Sequence, residues 1–271
     1  MNQTDTPAQP LVVGVDRSDS ARDAAHWALD VAAAWAAPLH LVHVVPGSPD
    51  DAAPAAPSWL HELRDAAERE GVRPCRTEVV CGNPVDTLVT LATHARMLVL
   101  GGYGDRAWSG MLAGPVALEL IELVRCPVAV IRGTAPQIPP PRTGAVVVGV
   151  DGRPDAHAAL LLGAHLASAL GTRVHALYAR PDDTPGPDPH TLLDAAIHLA
   201  LQDGPDTPID REHVSGDVLT ALLDIARGAR AVVVGHEDDG HRADSISRRL
   251  IEAAPCPVIV VHHRPAHPPA P

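Results

Sequence analysis

Two kinds of segment alternate along the chain when apolar and polar positions are compared. Short continuous apolar runs, such as LVVGV from Leu11 and MLVLG from Met97, are typical of strands covered on both faces. Between such runs, for example from Asp19 to Ala36, apolar residues recur at helical spacing. This alternation predicts a parallel sheet with helices packed on both of its faces.

In the first half of the chain the pattern predicts five strands and four helices. The strands are LVVGV, LHLVHVV, RTEVV, MLVLG and PVAVI. The helices cover residues 19–36, 58–70, 84–95 and 115–124. We therefore predict an α/β domain with a doubly wound, five-stranded parallel sheet of Rossmann-like type. In such domains ligands bind beyond the carboxyl ends of the strands.

The same plan occurs twice in the sequence. The strand-ending aspartates Asp16 and Asp151 are 135 positions apart, and the CPV cysteines Cys126 and Cys256 are 130 apart. The repeat predicts a domain over 1–134, a proline-rich linker over 135–143, a second domain over 144–264 and a proline-rich tail over 265–271.

The charge and the polar termini restrict the possible partners. The formal net charge is −12, which argues against nucleic-acid binding, since that function starts from a basic surface. No secretory signal is visible, and no apolar run approaches the roughly 20 residues that span a bilayer. The four cysteines are scattered without a CxxC pair. We therefore expect a reduced, cytoplasmic protein without a membrane segment or a structural metal.

Candidate chemistry gathers at one predicted sheet edge. The loop after the fourth strand carries Gly101, Gly102 and Gly104, and Gly114 precedes the last helix of the first half. Glycines let the backbone approach a ligand closely, and exposed amides beside a helix start bind anions. A flexible surface loop explains the glycines equally well. Asp16, which ends the first strand, supplies a carboxylate that can accept hydrogen bonds from a ribose or an adenine amine, or can cap the following helix.

Both halves of the chain resemble the universal stress protein family. The family signature is Gly, two residues, Gly, nine residues, then Gly followed by Ser or Thr, and Gly101, Gly104 and Gly114 match its spacing. The GVD aspartate and the CPVAVI strand match as well. The resemblance implies an adenine nucleotide alpha-hydrolase-like fold and, between the two halves, an internal pseudo-dimer that pairs through the last strands.

The resemblance also implies an adenine-nucleotide site in the first half. ATP-binding members hold adenine and ribose with residues that match Asp16 and Val44. Their phosphates rest on the glycines and on the start of the last helix. The predicted site residues are therefore Asp16, Val44, Gly101, Gly102, Gly104, Gly114, Pro115 and Val116.

Pro115 departs from the family signature, because it stands where the family has Ser or Thr. Proline suits the first turn of a helix but removes an N–H and a hydroxyl that a phosphate would use. Each lost hydrogen bond to a charged group is worth roughly 1.5–3 kcal/mol. We therefore expect weak ATP binding, with AMP or ADP as alternatives, unless Arg106 or Ser109 compensates.

The second half departs further. Its loop after the fourth strand is shorter, lacks the second glycine and contains Asp238, Asp239 and Asp244, which would repel a phosphate. Tyr178 and Ala179 replace His43 and Val44, although Asp151 remains. We expect this half to have lost triphosphate binding. His236 and His241 among these aspartates are more typical of solvated surface than of a cation site, and we expect His262 and His263 to belong to an exposed tail.

Three functional hypotheses follow. The first is a stress-response protein that binds adenine nucleotide in its first half and acts on an unknown protein partner, alone or as a further homodimer. The second is an interaction protein of the same fold that needs no nucleotide. The third, an enzyme of related architecture, is least favoured because no catalytic constellation is present and the chain has no lysine. Slow ATP hydrolysis or autophosphorylation, which the family includes, is not required by any residue here.

Overall fold

The computed structural model describes residues 8–103, 114–132, 144–180, 188–236 and 245–262. The predicted linker and tail lie outside these residues. The strands of the first half are β1 (Leu11–Gly14), β2 (Leu39–Val45), β3 (Cys75–Cys81), β4 (Met97–Gly101) and β5 (Val128–Ile131). Its helices are α1 (Asp19–Ala34), α2 (Ser58–Arg69), α3 (Pro84–Ala92) and α4 (Pro115–Leu123).

The second half repeats this order of elements. Its strands are β6 (Val146–Gly149), β7 (Val174–Arg180), β8 (Ile209–Ser215), β9 (Ala231–Gly235) and β10 (Val258–Val261). Its helices are α5 (Pro154–Ala169), α6 (Pro189–Asp203), α7 (Val218–Ala226) and α8 (Ile246–Ala253). The predicted alternation of strands and helices is confirmed in both halves.

All ten strands form one sheet, in the order β3-β2-β1-β4-β5-β10-β9-β6-β7-β8. Neighbours within each half are parallel, and β5 and β10 pair antiparallel through three residues of each strand. The predicted pseudo-dimer through the last strands is thus confirmed. Because the order of strands reverses at β1 and β4, the carboxyl ends of these two strands flank the crevice where such folds place ligands.

The helices form one layer on each face of the sheet. Buried side chains of α1, α2, α5 and α6 pack in one hydrophobic cluster, and those of α3, α4, α7 and α8 pack in the other. Each cluster contains residues of both halves. We call these layers the α1 face and the α4 face, and alternate residues of every strand point to one or the other.

Local sequence explains where the helices of the first half begin. Ser18 lies outside α1 in extended conformation, and its hydroxyl accepts a hydrogen bond from the amide of Ala21. Asn83 caps α3 in the same manner, with a proline in the first turn. Such caps satisfy amides that a helix leaves without partners at its start. Among the described residues, no helix is both long enough and apolar enough to cross a bilayer.

Candidate functional site

Three segments of the first half meet at the carboxyl edge of the sheet. Asp16 follows the end of β1, Gly101 ends the neighbouring strand β4 and is followed by Gly102, and Gly114 directly precedes α4. The hydroxyl oxygen of Ser18 lies 3.2 Å from the carbonyl oxygen of Tyr103, and the Gly114 amide donates to the Gly102 carbonyl at 2.5 Å. These contacts connect the segment of Asp16 to the glycine loop, and the loop to α4.

Asp16 is half-buried, and its carboxylate positions the start of α1. One carboxylate oxygen accepts hydrogen bonds from the Ser18 amide at 2.9 Å and from the Ser18 hydroxyl at 2.6 Å. Ser18 is therefore the cap of α1, and Asp16 orients that cap. The sequence left two alternatives for Asp16, a bond to a ligand or the cap of the following helix. The structure instead gives Asp16 a local role, in addition to its place in the crevice.

Gly101 lacks a side chain for a reason that concerns packing. A Cβ atom at this position would lie 2.7 Å from the Ser20 hydroxyl oxygen and 2.8 Å from the Ala21 nitrogen. Both belong to the first turn of α1, so Gly101 points to the α1 face. The absence of a side chain at Gly101 lets α1 approach the end of β4 closely. This explanation needs no ligand, and it differs from the predicted use of the glycine.

Two glycine amides of the predicted anion site already donate within the protein. The Gly102 amide donates to the Ile131 carbonyl at 2.8 Å, and the Gly114 amide donates to Gly102. Gly114 has φ −78°, so it does not use the left-handed region that favours glycine. The amides of these two residues are thus committed to hydrogen bonds that join Gly102 to β5 and Gly114 to Gly102.

The first turn of α4 presents the remaining described donors. Pro115 is exposed and has no N–H, and Val116 is half-buried. The first amide that donates within the helix is that of Leu118, which donates to the Gly114 carbonyl. The amides of Val116 and Ala117 lack intrahelical partners, as the geometry of every helix start requires. They lie where the dipole of the helix favours negative charge, which makes them candidate donors for an anion. Gly104, Arg106 and Ser109 lie outside the described residues.

Val44 lies at the same edge, on the α4 face of β2. The last β2 residue paired to β1 is Val42, so β2 runs three residues beyond its neighbour. Main-chain groups of alternate residues point to the same side of a strand. Because Val42 accepts a hydrogen bond from the Val15 amide, the peptide groups of Val44 point to the side of β2 where β1 has ended.

A pocket that the sequence did not predict opens beside this edge, on the α1 face. Its volume is about 220 Å³, and its walls combine apolar groups with one guanidinium and two aromatic rings. The lining residues are Arg17, His43, Val45, Pro54, Ala55, Pro57, Trp59 and Val79. None of the seven predicted site residues that the structure describes lines it, but Arg17 and Val45 directly follow Asp16 and Val44. The His43 and Trp59 rings meet edge to face, with centroids 5.0 Å apart.

The second half has a different arrangement at the corresponding edge. Asp151 is exposed, and its carboxylate binds its neighbour Arg153 through the amide at 3.0 Å and the guanidinium at 2.6 Å. Tyr178, which corresponds to His43 of the first half, is buried and stacks on His213. The position that corresponds to Pro115 is Ser245, which caps α8 through its hydroxyl. Residues 237–244, with the predicted acidic loop, lie outside the described residues.

Two histidines of the second half are buried, contrary to expectation. His262 was predicted to belong to an exposed tail, but it is only 6% exposed and contacts the Ile121 carbonyl of α4 at 2.7 Å. His236 is also 6% exposed and packs on His262. The prediction failed because a strand-end histidine looks solvated in sequence, whereas here the other half covers it. When the two repeats are aligned, His236 corresponds to Gly102. This correspondence was the signal in the sequence that could have indicated the burial of His236.

The CPV cysteines Cys126 and Cys256 belong to the packing of the α4 face. Cys126 is partly buried and Cys256 is fully buried, and all four cysteines are free. Burial raises the pKa of the Cys126 thiol to about 11 and that of Cys256 to about 12. Both therefore remain protonated at neutral pH and are poor nucleophiles and metal ligands. Among the residues that the structure describes, no cluster of three or more His, Cys, Asp or Glu side chains could hold a metal ion.

Comparisons with known proteins agree with this arrangement. The model of the universal stress protein family matches residues 7–132 and again residues 143–262. The chain is 30% identical to universal stress protein Rv2005c of Mycobacterium tuberculosis, over 92% of this chain and 96% of that protein. It is also 30% identical to Rv2623 of the same organism, over 92% of this chain and 95% of that protein.

A solved structure has the same fold over nearly the whole chain. A universal stress protein from Archaeoglobus fulgidus superposes with a TM-score of 0.70 at 16% identity, covering 95% of this chain and 99% of that one. The family model matches each half over nearly all of its described residues. The chain therefore belongs to the universal stress protein family, with two domains of that family in tandem.

Proposed function

We propose that the first half binds an adenine nucleotide at the carboxyl edge of β1 and β4. The observation that carries the proposal is the meeting of three elements at one crevice. Contacts through Ser18 and Tyr103, and between Gly102 and Gly114, hold Asp16, the glycine loop and the start of α4 together. A carboxylate beside the amides of a helix start suits a ligand with hydroxyl groups at one end and phosphate at the other.

The base is assigned to the edge of β2. The N–H and C=O of Val44 point past the end of β1, and such a donor–acceptor pair matches the N1 and amino group of adenine. The neighbouring pocket, with Arg17, His43 and Trp59 in its walls, offers apolar and aromatic surface to a planar ring. A base bound there would lie beside Asp16, which we assign to the ribose hydroxyls.

The phosphates are assigned to the first turn of α4. Because Pro115 has no N–H and the Gly114 amide is committed to Gly102, only the amides of Val116 and Ala117 remain among the described donors of this segment. We therefore infer that the site binds phosphate weakly and gains little from a third phosphate. ADP or AMP is the expected ligand, bound for regulation rather than for turnover.

Matched substitutions in the two halves test the proposal. Calorimetry with adenosine, AMP, ADP and ATP would first measure affinity in the unaltered chain, with GTP as a base control. Asp16→Asn keeps an acceptor for the Ser18 amide but loses the charge that strengthens hydrogen bonds to a ribose. We expect affinity to fall about 10- to 100-fold. Asp151→Asn, at the equivalent position of the second half, should leave affinity unchanged.

Two outcomes would contradict the proposal. Equal losses in Asp16→Asn and Asp151→Asn would move the site away from the first crevice. Absence of any heat or thermal shift with millimolar nucleotide would favour an interaction protein that needs no nucleotide. The bonding of Asp16 to Ser18 and the packing role of Gly101 favour that second candidate, because both explain site residues without a ligand.

A further inference from the structure

Helix α4 connects the candidate site of the first half to buried side chains of the second. Its first turn contributes the amides assigned to phosphate, and its last turn is reached by His262 from the end of β10. The Nε2 of His262 lies 2.7 Å from the Ile121 carbonyl oxygen, so this nitrogen carries the proton and donates it. The last four carbonyls of a helix lack intrahelical partners, and His262 supplies one from the other half.

The two halves reach the last helix of each other in this way. Arg132, at the end of β5, donates to the Ala254 carbonyl at the end of α8, at 3.2 Å. Arg132 and His262 each follow the final strand of their own half and contact the last helix of the other. Only α4, however, begins at a candidate ligand site, since the cap of α8 is filled by the Ser245 hydroxyl.

His236 supports His262 from a position that is glycine in the first half. The His236 amide donates to the Val261 carbonyl at 2.8 Å, just as the Gly102 amide donates to Ile131. Where Gly102 leaves bare backbone, the His236 ring packs on His262 with centroids 4.4 Å apart. Its Nε2 also lies 3.7 Å from a carboxylate oxygen of Glu122, on α4. Both rings are therefore fixed against the C-terminal turn of α4.

We propose that His262, supported by His236, is a positioning residue for phosphate binding in the first half. This inference rests on the proposed nucleotide site. Ile121 lies six residues beyond Pro115, which is about 9 Å along a rigid helix, so fixing the last turn also fixes the first. Hydrogen bonds from Val116 and Ala117 to a phosphate depend on their direction, and they weaken if α4 shifts or tilts. In this view the second half serves as a support for the ligand site of the first.

Substitutions that keep or remove the donor test the proposal. His262→Leu removes the hydrogen bond to Ile121 while keeping an apolar side chain, and His262→Gln keeps an N–H at similar reach. We expect His262→Leu to weaken ADP about 3- to 10-fold and adenosine hardly at all, because α4 contacts only the phosphates. His262→Gln should restore most of the ADP affinity. A merely structural role of His262 would weaken ADP and adenosine alike.

His40→Gln is the matched control for loss of stability. His40 is a buried histidine of the first half, on β2, and its Nε2 contacts Glu78 at 2.9 Å. It does not lie on α4 or at the carboxyl edge of the sheet. We expect this substitution to leave the ratio of ADP to adenosine affinity unchanged. An equal change of that ratio in His40→Gln and His262→Leu, or an unchanged ratio in His262→Leu, would overturn the proposal.

Hydrogen exchange without ligand separates this inference from the proposed function. Amides of residues 118–123 should exchange faster in His262→Leu than in the unaltered chain. In His262→Gln they should exchange at the same rate as in the unaltered chain. If the unaltered chain binds no nucleotide, the proposed function fails, and this exchange decides whether His262 holds α4. Exchange that is the same in all three proteins would overturn the positioning role even if nucleotide binds.

Discussion

Gly101 and Gly102 are adjacent in the chain, but the absence of a side chain has different consequences at the two positions. Gly101 faces the first turn of α1, where a Cβ atom would lie within 2.8 Å of main-chain atoms. At Gly102 the nearest atoms would be 3.4 Å and 3.5 Å away, which is ordinary contact. A change of side-chain rotamer cannot relieve a clash with main-chain atoms. Of these two positions, therefore, only Gly101 requires a glycine for packing.

We therefore predict that Gly101→Ala lowers the free energy of unfolding by about 1–3 kcal/mol, the usual cost of overpacking. Urea denaturation followed by circular dichroism would measure it. Gly228→Ala is the control, because among the described residues no atom beyond its chain neighbours lies within 4 Å of the added methyl group. We expect its effect to stay within about 0.5 kcal/mol. If Gly101→Ala does not lower the free energy of unfolding, the packing explanation is wrong and Gly101 is again a candidate ligand-binding residue.

The sequence predicted which residues gather at the site better than it predicted what each one does. The repeat and the strand-ending pattern placed Asp16, Gly102 and Gly114 at one edge, because the carboxyl ends of parallel strands must share an edge. The hydrogen bond of Asp16 to Ser18 and the burial of His262 were not predictable. The first depends on a side-chain orientation, and the second depends on contact with the other half.

At the scale of elements, the strands were predicted most accurately and the helix ends least. The predicted limits of β2, which is LHLVHVV, and of β4, which is the apolar run MLVLG, agree with the structure. Helix α3 was predicted to reach residue 95 but ends at Ala92. Thr93 and His94 are exposed in the turn that follows, but Ala95 is buried at helical spacing from Ala92, so the apolar pattern alone does not reveal where the helix stops.

Helix α4 carries the prediction that concerns the family departure at Pro115. Pro115→Ser would restore an N–H and a hydroxyl to the first turn of the helix, both directed to the place assigned to phosphates. We expect ATP and ADP affinity to rise about 10-fold or more and adenosine affinity to stay the same. Calorimetry with the nucleotide series measures this. Equal tightening of adenosine and ATP would show that the residue acts on the shape of the site rather than on phosphate.

At the scale of the whole molecule, the two halves share their hydrophobic cores. Both clusters of buried side chains run through the first and the second half, and β5 and β10 join the two parallel sheets. The Trp35 indole adds a hydrogen bond across the halves, to the His165 carbonyl at 3.3 Å. Such an interface resembles the inside of a domain more than a contact between separate domains. We therefore expect the halves to unfold together.

The distribution of tryptophan makes this expectation testable. All four tryptophans, at positions 27, 35, 59 and 108, are in the first half, so their emission reports mainly the unfolding of that half, and Trp35 also senses its contact with His165 of the second. Leu222 is 1% exposed and packs within the second half, between α7 and its strands. Leu222→Ala should cost about 2–5 kcal/mol by leaving a cavity. We expect it to lower the denaturant midpoint of the tryptophan signal, although the substitution lies in the other half.

An exposed leucine of the second half provides the control for that experiment. Leu199, on α6, is 49% exposed, and Leu199→Ala should leave the midpoint almost unchanged. If the halves unfold independently, Leu222→Ala will shift circular dichroism but not tryptophan emission, and the two signals will separate. Coincident signals that shift together instead require that destabilisation of the second half reaches the first through the shared core. The same coupling would let a ligand bound to the first half stabilise the second half as well.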